Sequence, residues 1–167
     1  MSHLALLVTH QDHAVRAEAL RALARFGGIE ARRAISAALD DPDRAVRLAA
    51  FWILREERDP SDPQLLGEIA SRLDAKGRPW IDEEDKLELL RTVAALGGED
   101  RLIDILPARS FFGSRKKSEL RACAAHVLGE RKCRRAAEPL RKLLSDRDPS
   151  VRASAQAALA SLEEGQA

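Results

Sequence analysis

The sequence predicts an all-α protein, a solenoid in which pairs of helices stack along the chain. Three observations predict this fold class: a composition rich in helix formers, a motif that recurs at a fixed spacing, and apolar positions within that motif that share one helix face. Of the 167 residues, 45% are hydrophobic and 33% are charged, so the chain can bury a core and is not expected to be disordered.

The recurring motif has an aliphatic residue, then Arg, then Ala at the fifth position and Leu at the ninth. Its four copies lie at residues 15–23, 46–54, 120–128 and 151–159. The first two copies are 31 residues apart, and so are the last two. The gap between them leaves room for one diverged copy at 86–96, which has lost the Arg and the central Ala. In a helix the aliphatic, Ala and Leu positions form one stripe, and the small Ala allows a neighbouring helix to approach closely.

Residues that favour the start and the end of a helix surround these copies. Asp12, Asp43 and Asp148 precede three of them, where an Asp side chain caps the first backbone N–H groups. Glycines are expected to end the helices, and these are Gly27, Gly28, Gly97, Gly98 and Gly129. A second apolar helix is expected after each copy, over residues 31–39, 65–73, 102–106 and 136–144.

The helix pairs predict about four repeats within a single domain, residues 1–167. The expected repeats span residues 13–40, 44–73, 84–107 and 118–145. Residues 4–8 match residues 140–144 in register, so we expect a half repeat at 2–9. A second half repeat is expected at 149–162.

The pattern at 140–159 is Leu-x-x-Leu-Leu-x-Asp-x-Asp-Pro-x-Val-Arg-x-x-Ala-x-x-x-Leu, and residues 38–54 repeat it. This pattern resembles the HEAT repeat family, in particular the bacterial type related to phycobilisome-lyase repeats. The resemblance covers nearly the whole chain and is weakest at 74–117. It implies a right-handed α-α superhelix, with the second helix of each repeat lining the concave face.

The resemblance also implies a ladder in which the Asp between repeats pairs with the helix Arg. The expected pairs are Asp41 with Arg47 and Asp146 with Arg152. His10 takes the place of the Asp in the first turn. These Arg residues are therefore expected to be structural.

The sequence shows no constellation of residues suited to catalysis, so we expect no enzyme activity, no cofactor and no metal. His10 and His13 flank Asp12, but two ligands in one turn do not make a closed metal site. Cys123 and Cys133 form no Cys-x-x-Cys pair. No apolar run reaches the roughly 20 residues that a membrane span needs, and no signal peptide is found. A cytoplasmic location is expected.

The charge is nearly balanced overall, at +1, but it is unevenly distributed. Residues 56–107 hold 7 basic and 14 acidic side chains, whereas residues 108–147 hold 12 basic and 4 acidic ones. One interpretation is two solvated faces of opposite sign that attract each other. The other is a basic patch that binds an acidic partner.

Three departures from the repeat motif are candidates for recognition. Two irregular segments, 74–82 with Trp80 and 107–117 with Phe111 and Phe112, either bind a partner or fill gaps in the core. Trp52 occupies the seventh position of its copy, which faces away from the stripe, so we expect it to be partly exposed unless residues 56–64 or 74–82 cover it. Side chains expected to project from the second helices are Arg33, Ser36, Glu68, Arg72, Arg101, Asp104, Arg134, Glu138, Arg141 and Lys142.

These features favour a non-catalytic scaffold that binds a partner protein with an acidic patch. The predicted partner-binding residues are Trp52, Arg72, Phe111, Phe112, Arg115, Lys116, Arg134, Arg135, Arg141 and Lys142. The alternative is a nucleic-acid-binding module, which the acidic middle of the chain disfavours. A third is a chromophore-handling factor similar to the bilin lyases. The half repeats could also stack end to end in a homodimer, with the apolar N-terminal end the better candidate.

Overall fold

A computed structural model describes residues 2–56, 63–74, 83–107 and 115–164. These residues form helices and turns, and no strand occurs among them. They group into two compact units. The first unit contains α1 (Ser2–Leu7), α2 (His13–Phe26), α3 (Gly28–Ala38) and α4 (Arg44–Glu56).

Among its described residues, the second unit contains six α-helices and one 3₁₀ turn at Arg134–Ala136. The helices are α5 (Pro63–Asp74), α6 (Glu83–Ala95), α7 (Glu99–Ile105), α8 (Arg115–Glu130), α9 (Ala137–Leu143) and α10 (Pro149–Glu164). These bounds fall close to those expected from the motif. The grouping of the helices into four repeats and two half repeats stays a prediction.

In the first unit, α2 packs against α1, α3 and α4, and α3 also packs against α4. Leu20 and Leu23 of α2, Ile35 of α3 and Ala50 and Leu54 of α4 are buried in the core. Ala50 is the fifth residue of its copy and is fully buried, as the motif predicts. Its small side chain is what allows α4 to approach its neighbours closely.

Three helices begin with the Asp caps that the sequence predicts. The carboxylates of Asp12, Asp43 and Asp148 each accept a hydrogen bond from the backbone N–H two residues further on, at 2.8, 2.8 and 2.9 Å. Each bond satisfies an N–H group that has no partner within the helix. At the end of α2, Gly27 adopts a φ of +66°, a conformation that favours glycine.

In the second unit, α8 packs against α6, α7 and α10, and α9 packs against α10. The buried side chains at this centre include Leu90, Val93, Leu128, Leu140 and Val151. Ala124, the fifth residue of the copy in α8, is fully buried there, as expected. The apolar stripe of the motif therefore forms the core of this unit as well.

The expectation that Gly129 ends a helix is wrong, because Gly129 lies inside α8 and is buried. A Cβ atom at this position would lie 2.7 Å from Cα of Ala158 in α10. Glycine is therefore present because α8 and α10 approach each other closely at this point. The left-handed residue after α8 is Lys132, with a φ of +50°.

Candidate protein-binding surfaces

Arginines of the motif bond to the backbone of the turn that precedes their own helix. Nη1 of Arg16 donates to the carbonyl oxygens of His10 and Gln11, at 2.8 and 2.9 Å. Nη1 of Arg47 and Nη1 of Arg152 make the same two bonds, to the carbonyls six and five residues earlier, at 2.8 to 3.0 Å. The shared pattern holds the guanidinium in the same local setting at all three positions.

Two motif arginines, Arg16 and Arg121, bind a carboxylate that lies 25 residues further along the chain. Nε and Nη2 of Arg16 donate to the two carboxylate oxygens of Asp41, at 2.9 and 2.8 Å. Arg121 likewise donates to both carboxylate oxygens of Asp146, and the two side chains are only 7% and 8% exposed. Two-pronged Arg–carboxylate pairs of this kind are among the strongest charged hydrogen bonds. They link consecutive turns of the repeat within each unit.

The expected pairing of Asp41 with Arg47 and of Asp146 with Arg152 is therefore wrong in its partners. Each carboxylate binds the earlier arginine, whereas the later one bonds to the backbone carbonyl of the same Asp. The reason is local: each carboxylate also accepts the N–H of the residue two positions on, at 2.8 and 2.9 Å. This bond keeps the carboxylate inside its turn, within reach of the preceding helix.

Burial raises the pKa of Asp146, but the hydrogen bonds that its carboxylate accepts from the N–H of Asp148 and from Arg121 together lower it by more. The net result is a pKa below the usual value. The carboxylate is consequently ionised over the whole physiological range.

In the diverged copy, two exposed or half-buried pairs join α6 to α8. Nζ of Lys86 lies 2.7 Å from a carboxylate oxygen of Glu119, and Arg91 donates to both oxygens of Glu130 at 2.7 and 3.0 Å. The hydrogen bond from Lys86 is the main cause of the lowered pKa of Glu119. The bond from Arg91 lowers the pKa of Glu130 in the same way.

Six cations lie in the segment from the end of α8 to the end of α9, and we call this segment's exposed side the basic surface. Its members are Arg131, Lys132, Arg134, Arg135, Arg141 and Lys142, and all six are exposed. Arg135 pairs with Asp100 of α7 at 2.8 Å, and the field of Asp100 raises the pKa of Arg135. Arg131 approaches Glu99 of α7 at 3.5 Å. Acidic and basic segments therefore do attract each other within the second unit.

In the part of the chain that the structure describes, the acidic side chains of α7 neutralise only Arg131 and Arg135 of the basic surface. Arg141 approaches Glu138 of its own helix at 3.5 Å, and this exposed pair contributes little to the stability of the folded protein. Within the ranges that the structure describes, Lys132, Arg134 and Lys142 form no ion pair. Their charges face solvent and are available to a partner.

The other predicted cations lie outside the basic surface. Arg115 is 92% exposed at the start of α8 and pairs with Glu119 at 2.9 Å. Lys116 lies in the same helix. Arg72 projects less than expected: its side chain is 10% exposed and donates to the carbonyl of Glu68 at 3.1 Å. Burial lowers the pKa of Arg72.

Trp52 lies on the outer side of α4 and is 62% exposed, which confirms the expectation from its position in the motif. It borders an open groove of about 410 Å³ in the first unit. The other lining residues are Arg21, Ala45, Leu48, Ala49, Ile53 and Glu56. The groove has an apolar floor and one charged side chain of each sign.

The aromatic residues of the two irregular segments lie outside the described residues, and the expectation that Ser36 projects from α3 is wrong. Phe111, Phe112 and Trp80 lie outside those ranges, as do most residues of the segments 74–82 and 107–117. Ser36, expected to project from α3, is 6% exposed and faces the core. Ala31, Ile35 and Leu39 set the buried stripe of α3, and Ser36 lies next to it.

The described residues contain no group of three or more His, Cys, Asp or Glu side chains that could hold a metal ion. Among them, no helix is long and apolar enough to cross a membrane. Cys123 is buried and Cys133 is half-buried beside the basic surface. Caps, small residues and arginines recur at the same spacing along these packed helices. This recurrence defines an all-α helical-repeat protein.

The sequence profile of HEAT repeats matches residues 2–81 and 110–167, and the chain therefore belongs to the HEAT repeat family. The predicted fold class, an all-α repeat fold of HEAT type, is confirmed. Residues 82–109, which contain α6 and α7, fall outside the match and include the diverged copy. HEAT repeats are typically non-catalytic scaffolds for protein interaction.

Three solved structures similar to the chain are products of engineering. One is a designed armadillo repeat protein, with 19% identity over 96% of this chain and 81% of that chain, at a TM-score of 0.44. The other two are described as engineered proteins, with 23% and 22% identity over 97% of this chain and 78% and 80% of theirs, each at a TM-score of 0.40. No curated protein sequence matches the chain significantly.

Proposed function

We propose that this chain is a non-catalytic scaffold whose basic surface binds an acidic patch on a partner polypeptide. The observation that carries the proposal is the group Lys132, Arg134 and Lys142, exposed cations without an ion pair among the described residues. The neighbouring Arg131 and Arg135 already hold acidic groups of α7, which shows that carboxylates can reach this surface. Such charges steer a partner of opposite sign and set its orientation.

Trp52 supports a second contact area, in the first unit. A tryptophan that borders an apolar groove contributes much of the binding energy where a partner covers it. Binding there would not depend on the basic surface. The two areas can therefore be tested one at a time.

The test is an affinity pulldown from the lysate of the native cell, with identification of retained proteins by mass spectrometry. The test variant combines Arg134→Glu, Arg135→Glu and Arg141→Glu. A matched control with the same change in charge combines Arg25→Glu, Arg32→Glu and Arg33→Glu, which are exposed side chains of the first unit that do not line the Trp52 groove. We expect a protein that the wild type and the control retain and the test variant loses.

Retention of the same proteins by all three forms would refute the basic surface as a binding site. Loss of only nuclease-sensitive material would favour the nucleic-acid alternative, which the 12 cations of residues 108–147 bring into consideration. A separate Trp52→Ser variant tests the groove. Because Trp52 is mostly exposed, this variant is expected to keep the melting temperature of the wild type within about 2 °C.

A further inference from the structure

The arginine of the last motif copy, Arg152, makes the same two backbone bonds as Arg16 but, among the described residues, lacks the carboxylate that Arg16 binds. Its Nη1 atom donates to the carbonyls of Asp146 and Arg147, at 2.8 and 3.0 Å. In Arg16, which makes the equivalent pair of bonds, Nε and Nη2 bind both oxygens of Asp41. In Arg152, neither Nε nor Nη2 has a partner among the described residues, and the side chain is exposed.

The edge of the Arg152 guanidinium that carries Nε and Nη2 is preorganised to bind a carboxylate. Two backbone carbonyls already fix the plane of the guanidinium, so little side-chain freedom remains to be lost when a ligand binds. The same chemical group, with the same two backbone bonds, holds a carboxylate through two parallel hydrogen bonds inside the first unit. Arginine is suited to this because its donors match the spacing of the carboxylate oxygens.

The charges around Arg152 also favour an anion. Arg147 is exposed in the same turn, and the carboxylate of Asp146 is already neutralised by Arg121. Asp148 of the same turn forms no ion pair with an arginine among the described residues, and its carboxylate caps α10 through the N–H and the hydroxyl of Ser150. An incoming carboxylate therefore meets two cations and one acid that is already hydrogen-bonded.

A second copy of the chain does not offer the required group at its first turn. Asp41 and Asp146, the carboxylates that accept an arginine, lie six residues before the next motif arginine. The residue at that position before Arg16 is His10, whose Nδ1 accepts the N–H of Asp12. End-to-end stacking of two copies would place an imidazole, not a carboxylate, against Arg152.

We propose that Arg152 is a specific carboxylate-binding site, and that its occupant is an Asp or Glu of the acidic partner protein. This proposal rests on the proposed function, because it assumes a partner polypeptide. It adds one specific hydrogen-bonded contact to the general electrostatic attraction of the basic surface. The partner carboxylate completes at Arg152 the arrangement that Asp41 completes at Arg16.

The test uses the full chain and a synthetic probe, an amidated decapeptide of alternating Asp and Gly, with an Asn–Gly peptide as the neutral control. Calorimetry measures binding to the wild type and to Arg152→Gln, Arg152→Lys and Arg147→Gln. We expect Arg152→Gln to weaken binding about tenfold, the loss of one charged hydrogen-bonded pair. Arg147→Gln removes the same charge from the same turn and is expected to weaken binding only about twofold.

Arg152→Lys separates geometry from charge, since lysine keeps the charge but not the paired donors. We expect it to lose most of what Arg152→Gln loses. Equal losses in Arg147→Gln and Arg152→Gln, or wild-type binding by Arg152→Lys, would overturn the proposal. All variants are compared by melting temperature, and the exposed site predicts no change beyond about 2 °C.

The outcomes for this site and for the basic surface can be told apart. If Arg152→Gln binds the Asp–Gly peptide and the lysate partner like the wild type, while the Arg134/Arg135/Arg141 charge reversal loses both, the Arg152 site is refuted and the proposed function stands. The reverse result refutes the basic surface alone. Sedimentation that shows a dimer dispersed by Arg152→Gln would identify a second copy as the occupant and refute the partner assignment.

Discussion

The intact and the diverged copies of the motif connect their helices in different ways. In two of the intact copies a two-pronged pair joins consecutive turns: Arg16 binds Asp41, and Arg121 binds Asp146. Where the motif has diverged, α6 is joined to α8 by more exposed pairs, such as the one in which Arg91 donates to both carboxylate oxygens of Glu130. The side chains of the Arg121 pair are under a tenth exposed, whereas those of the Arg91 pair are 33% and 39% exposed.

This difference shows that the number of ion pairs is a poor measure of what holds the repeats together. A buried pair strongly penalises the loss of one partner, because the other charge is left without compensation. An exposed pair can be replaced by water at little cost. We therefore expect the copies that contain Arg16 and Arg121 to depend strongly on that arginine, and the diverged copy to depend mainly on apolar packing.

The largest expected effect is that of Arg121→Met in the second unit. The variant leaves the carboxylate of Asp146 buried without a counter-charge, and we expect it to lower the free energy of unfolding by about 3 kcal/mol. Urea denaturation followed by circular dichroism measures this loss. The double variant Arg121→Met/Asp146→Asn should recover part of it, because the buried charge is then absent. A loss no larger than that of Arg91→Met would contradict the comparison.

The second effect concerns how closely α8 and α10 pack. A Cβ at Gly129 would lie 2.7 Å from the backbone of Ala158, so Gly129→Ala is expected to destabilise the protein by about 1–3 kcal/mol. The matched control is Gly67→Ala in α5, where a Cβ would meet open space. This control should stabilise the protein by about 0.5–1 kcal/mol, since alanine favours a helix. Effects of the same sign would show that helix propensity, rather than the α8–α10 contact, governs Gly129.

A smaller effect is expected on acidification, with a definite sign. The pKa values of Asp146, Glu119 and Glu130 are lowered in the folded protein, so the stabilisation they provide is complete above their ordinary values of 3.8 and 4.5. As the pH falls below these values, the unfolded chain takes up protons first and stability declines. Melting temperatures between pH 6 and pH 2.5 should fall on the acid side. Glu130→Gln should make that fall shallower, and an unchanged slope would exclude this residue as a contributor.

The smallest expected effect is that of Arg91→Met. The pair with Glu130 is partly exposed, and its loss is expected to lower the free energy of unfolding by about 0.5 kcal/mol. A double-mutant cycle with Glu130→Gln, followed by urea denaturation, isolates the coupling between the two side chains. A coupling above about 2 kcal/mol would make the diverged link as important as the buried pairs.

Much of the helical framework could be predicted from the sequence because the relevant signals are local. The caps at Asp12, Asp43 and Asp148 depend on residues two positions away. The buried alanines follow from the 3.6-residue period, and the same period placed Trp52 on the exposed side of α4. Ser36 was misplaced because a position beside the stripe can be covered by a neighbouring helix, which the period does not record.

The order of residues along the chain was enough to place the starts of the helices, their apolar faces and the segment with an excess of cations. The packing of the helices was needed to see which Asp meets which Arg and why Gly129 lies inside a helix. It was also needed to see that Nε and Nη2 of Arg152 have no partner among the described residues. These features depend on how one helix pair is placed against the next, across about 25 residues. The repeat period predicts that one helix pair packs against the next. The relative position of the two pairs is set by side-chain packing in the core.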